Sequence, residues 1–167
     1  MNMISRAQAL LLALLVSLPA VPAAAHDYKL GDIAIVHPWA RATPDGAKVG
    51  AGYATIHNKG AEADRLVSIS SAISERSEIH EMAVDAKGVM TMRPLANGIE
   101  IPAGGEAVLK PGSFHFMFMG LKQPAVKDER FAATLTFEKA GTVEIEFVVQ
   151  EMGGQPADGH KAGGHGG

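Results

Sequence analysis

Three short runs place soft metal donors two residues apart: His80 with Met82, Met90 with Met92, and His115 with Met117. On a β-strand, residues i and i+2 share a face, so each run would present its two donors side by side. The chain has no cysteine. Imidazole and thioether are then the side chains left with affinity for a soft monovalent ion, and the chemistry these pairs offer is the holding of copper(I). Of the six methionines beyond residue 25, five (Met82, Met90, Met92, Met117 and Met119) fall in these three segments. A methionine is as readily a filler of gaps in a core as a ligand, and for Met82, Met90 and Met119 both uses stay open. His37 and His57 have no same-face donor partner and read as structural or surface residues.

The elements that must position these donors are strands. Alternation with period two runs through residues 29–36, 52–58, 65–69, 78–84, 89–95, 107–109, 114–119, 130–137 and 142–149. Turn signals separate them, among them Pro44-Asp45-Gly46, Asp85-Ala86-Lys87-Gly88, Asn97-Gly98 and Pro111-Gly112. Many short strands at this spacing predict an all-β Greek-key sandwich or barrel. In Phe114 to Met119 the phenylalanines 114, 116 and 118 take one face and His115, Met117 and Met119 the other, which divides core from donors. A hairpin through Asp85 to Gly88 is expected to bring His80 and Met82 opposite Met90 and Met92. Trp39 is expected as a core aromatic, with Arg41 at the sheet edge.

Residues 1–25 read as a secretory signal: Arg6, then the apolar run Leu10 to Val16, then Ala23-Ala24-Ala25. The sandwich domain is expected over residues 26–152, followed by a flexible Gly- and His-rich tail over 153–167. Without cysteine no lipid anchor is expected, nor membrane insertion after signal cleavage. In an oxidising compartment the thioether is the soft donor that survives. Past the signal, 14 basic stand against 18 acidic side chains, a net charge of −4 that gives no footing for nucleic acid. The imidazoles of His160 and His165, with Met152 just before the tail, are candidates for collecting copper(II), the alternative being a tail that only solubilises, and His26, at the predicted new N-terminus, is a further chelating candidate.

His80, Met92 and the His115-x-Met117 pair, with His37-Pro38-Trp39-Ala40-Arg41, Gly98-Ile99-Glu100-Ile101-Pro102-Ala103-Gly104-Gly105 and Met117-Phe118-Met119-Gly120-Leu121, resemble the periplasmic copper chaperone family called PCuAC. The resemblance runs from about Tyr28 to Val149. The gaps here, eleven residues from His80 to Met92 and twenty-two from Met92 to His115, are each one longer than in the family pattern, which leaves Met90 as an alternative to Met92. The resemblance implies a cupredoxin-like sandwich in the periplasm that binds copper(I) through His80, Met92, His115 and Met117. It further implies delivery to a thiolate-containing acceptor, such as the copper A subunit of cytochrome c oxidase or another copper chaperone. A copper storage or resistance protein would share the same ligands. A blue-copper electron carrier would need a thiolate that is absent, and no acid, base or nucleophile constellation points to an enzyme.

Overall fold

The computed structural model describes residues 27–151; the expected signal, His26 and the tail with Met152, His160 and His165 lie outside them. Eleven strands follow one another: β1 (Tyr28–Leu30), β2 (Ile33–Arg41), β3 (Val49–Asn58), β4 (Asp64–Ser70), β5 (Ser74–Val84), β6 (Met90–Pro94), β7 (Ile99–Ile101), β8 (Glu106–Leu109), β9 (Phe114–Leu121), β10 (Arg130–Phe137) and β11 (Gly141–Gln150). They form a mixed β-sheet ordered β6-β5-β9-β8-β3-β2-β11-β10-β4-β7, with β1 beside β2 and a further β9–β3 pairing. Pairing is antiparallel except between β11 and β2 and between β8 and β9. The expected all-β sandwich is the fold found.

Alternating apolar residues close the core: Ile35, Ile56, Leu66, Ile101, Leu135, Ile145, Phe116, Phe118 and Phe147 are buried together. Phe116 and Phe118 meet Phe147 edge-on, at ring centroid distances of 5.5 and 5.6 Å. Gly52 on β3 faces the same core, because a Cβ there would stand 3.0 Å from both the Phe118 and Phe147 rings.

Two boundaries differ from expectation. The run 29–36 is broken at Gly31, which takes φ +57° and turns β1 back onto β2. Ile99–Ile101 pairs with β4 as a strand, although its three residues are too few for alternation to reveal. Within β2 the register with β3 shifts between Val36 and Trp39, where His37 has φ +50°. This bulge accommodates Pro38, which has no N–H to give to a ladder.

Trp39 corrects one reading. It is buried, but outside the main core. It pairs across the ladder with Tyr53, their rings 4.5 Å apart. Tyr53 follows the core-facing Gly52 and therefore points from the opposite face. Trp39 and Tyr53 thus form a second apolar cluster on the outer side of the sheet, the side that also carries His115 and Met117. Burial raises the Tyr53 phenol above its ordinary range, against the pull of the nearby Arg41 charge.

Candidate metal centre

The donors gather on the outer face of the β6-β5-β9 strip. His80 pairs with His115, Glu78 with Met117 and Arg76 with Met119 across β5 and β9. Cross-strand partners share a face, so all six point the same way. The two imidazoles lie with ring centroids 5.8 Å apart and are 8% and 4% exposed. Burying two imidazoles together calls for partners that fix their protons, and each has one.

His115 Nδ1–H donates to the Ser113 carbonyl at 3.0 Å, because a carbonyl can only accept. Its Nε2 is thereby left with a free lone pair. His80 Nε2–H donates to Glu78 Oε2 at 2.8 Å, and Arg76 Nε in turn donates to Glu78 Oε1 at 2.8 Å. That leaves His80 Nδ1, which is buried and has no hydrogen-bond partner. A buried orphan lone pair costs about 1–3 kcal/mol unless something accepts it, and a metal ion is what an imidazole lone pair suits. Among the described residues, no three His, Asp or Glu side chains are grouped to hold a metal. Methionines flank the histidine pair on both sides.

Met117 is half-buried, one same-face step from His115 along β9. Met82 stands one step from His80 along β5, and Met92 on β6 pairs directly with Met82. The hairpin forms as expected, but its register is one step further out: residues equidistant from Lys87 pair, so His80 meets Pro94, Met82 meets Met92, and Met90 meets Val84. The Asp85 carboxylate fixes this turn by accepting the Lys87 and Val89 amides at 2.8 and 2.9 Å. Of the two β6 methionines, Met92 is therefore nearer to His80, while Met90 lies a step beyond. Met119 is drawn away from the histidines, since Arg76 Nη2 donates to its sulfur at 3.6 Å. His37 and His57 are elsewhere: His57 Nδ1 is 3.1 Å from Glu106 Oε2 at the surface, and His37 Nε2 is 3.3 Å from the Gln150 amide.

Sequence reasoning missed the groups that hold the histidines. Glu78 carried the same signal as Met82, a two-residue offset from His80, but a carboxylate is not a soft donor and the offset went unread. Ser113 acts through its backbone carbonyl, for which no side chain signals.

This fold is the one found in solved PCuAC domains. The chain aligns with the apo PCuAC domain of PmoF1 at 29% identity and TM-score 0.64, covering 76% of this chain and all of that one. The copper-bound PCuAC domain of PmoF2 aligns at 27% identity with the same score, over 76% of this chain and 99% of that one. Residues 33–149 match the family model described as putative lipoprotein LpqE-like, and the chain belongs to that family. A putative lipoprotein of Leifsonia xyli subsp. xyli is 30% identical over 116 residues, spanning 70% of this chain and 68% of that protein.

Proposed function

We propose that this protein is an exported copper(I) chaperone of the cell envelope. It holds one ion through His80, His115, Met117 and Met92 and passes it to a thiolate-containing acceptor, of which the copper A centre of cytochrome c oxidase is the candidate. The observation that carries this reading is the facing His80–His115 pair, each ring with one nitrogen engaged and the other free, on a face otherwise supplied with thioethers. Two imidazoles and two thioethers are neutral, so the ion keeps its single charge and no ligand proton must leave on binding. Thiolates bind copper(I) more tightly than thioethers, so transfer runs downhill. Export is supported by the N-terminal signal pattern and by the lipoprotein description of the family. Met92 is the outlying donor, one strand outside His80 and 48% exposed, so the hairpin must bend toward the pair for its sulfur to join them.

The test is an anaerobic competition titration against a copper(I) chelator. Wild-type protein is expected to hold copper(I) far more tightly than a His80→Ala/Met117→Ala variant. Equal retention by the two would overturn the assignment.

A further inference from the structure

The β5–β6 hairpin carries an apolar surface that packing does not explain. Val84, Val89, Met90 and Met92 are 63%, 53%, 63% and 48% exposed, and they cluster at one end of one element. Strand β6 is at the end of the sheet order, paired to β5 alone, and all five of its residues are exposed. The charged pair at this end of the hairpin, Glu81 and Arg93, lies on the opposite face, joined at 2.7 Å. Beyond His80 and Pro94, the outer face of the hairpin carries Met82, Met90, Met92 and Val84.

The register sets the spacing of the three sulfur-bearing side chains. Met82 and Met92 are direct cross-strand partners, with Cα atoms about 5 Å apart. Met90 is the next same-face residue on β6, about 7 Å along from Met92. Met117, by contrast, lies two strands across from Met92 and two same-face steps further down, about 16 Å away on a flat sheet. Unbranched thioethers with three rotatable bonds close a gap of 5–7 Å without strain, whereas one of 16 Å closes only when the hairpin bends toward β9. The three hairpin methionines are thus closer to one another than Met92 is to Met117.

We propose that Met82, Met90 and Met92 form a separate all-thioether site for a soft monovalent ion, the position at which copper(I) first lands before moving to His80 and His115. This rests on the reading of the histidine pair as the main site and extends it. Because Met92 belongs to both positions, a single ion occupies them in succession. Met82, between Met92 and His80, is the stepping residue. The movement is ligand exchange only: copper stays monovalent, sulfur–metal bonds are replaced by nitrogen–metal bonds, and no proton is released. Exposure of Met90 lets a donor reach the ion while the buried histidines stay out of contact with it.

The experiment uses the full-length chain with methionine methyls labelled with ¹³C, titrated with silver(I) as a redox-inert probe and with copper(I) under anaerobic conditions. In a His80→Ala/His115→Ala variant, one equivalent of silver(I) is expected to shift the Met82, Met90 and Met92 methyl resonances together, with only sulfur in the X-ray absorption shell of the copper-loaded protein. Adding Met82→Leu and Met90→Leu to that variant is expected to abolish the shift at Met92. Unmoved hairpin methyls in a folded His-less variant would overturn the proposal. Where that variant does not fold, Met82→Leu/Met90→Leu in the otherwise wild-type chain decides, since it keeps all four main-site ligands. Its copper(I) affinity is expected within about threefold of wild type, and its loading rate from a copper(I)–bicinchoninate complex lowered at least about tenfold. Equal loading rates would overturn the landing site while leaving the main site standing. Failure of the main site shows separately, as equal competition by wild type and His80→Ala/Met117→Ala.

Discussion

Removing the Glu78 carboxylate tests whether His80 is a prepared ligand or a buried histidine with no task. In Glu78→Ala the imidazole loses the acceptor that holds its proton on Nε2, and with it the restraint that leaves Nδ1 bare. The bond is short and charge-assisted, and the His80 side chain is 10% exposed, so little water competes for it. Losing such an orienting partner costs about 10- to 100-fold in metal affinity. The near-complete burial puts the expected loss near the middle, about 30-fold or about 2 kcal/mol. Glu78→Gln keeps a carbonyl oxygen that can accept from Nε2–H, but at about half the strength, so it is expected to lose only about fivefold. Glu81→Ala is the control, since Glu81 pairs with Arg93 on the other face, and it is expected to change affinity by less than about twofold. Anaerobic chelator competition gives the affinities, and long-range ¹H–¹⁵N spectra of the metal-free protein read which His80 nitrogen carries the proton. An affinity for Glu78→Ala within about twofold of wild type, or a proton found on Nδ1, would refute the reasoning.

Two further substitutions probe the scaffold. Asp64 is buried and accepts the Arg65, Lys139 and Ala140 amides at 2.7, 2.9 and 2.9 Å, so Asp64→Ala is expected to cost about 3 kcal/mol in urea unfolding. Burial alone would raise this carboxyl, yet the amides of Lys139, Arg65 and Ala140 outweigh it and hold it below its ordinary range. Its contribution is therefore complete above the unfolded value near about pH 4 and lost as pH falls through the lower folded value; Asp64→Ala is expected to show a shallower stability decline below that point. Phe116→Ala empties the fully buried centre of the sandwich beside Phe147 and is expected to cost about 4 kcal/mol, read as a lowered urea midpoint with unchanged slope.

Period-two alternation was enough to find most of the strands, because each buries one face and exposes the other. It was enough in Phe114 to Met119 to separate core from donors, and Phe116 and Phe118 are indeed buried while Met117 is not. It failed where the period had nothing to act on. Three residues at Ile99–Ile101 are too short, and the turn at Gly31 divides a run, residues 29–36, that reads as one strand. Trp39 was misplaced for a related reason: hydrophobicity says that a side chain is buried, and the bulge at His37-Pro38 decides on which side of the sheet.

By itself, the sequence determined the all-β class, the two-residue donor pairs and the soft character of the chemistry, since these depend only on residue type and on the alternation of side chains along a strand. Tertiary structure alone decided that His80 faces His115, that Met92 pairs with Met82 while Met90 lies one step beyond, and that Glu78 and the Ser113 carbonyl set the imidazole protons. The physical reason is that register across strands is set by turns and by the packing of the far face. A shift of a single residue there moves every donor to the other side without changing the order of residues along the chain.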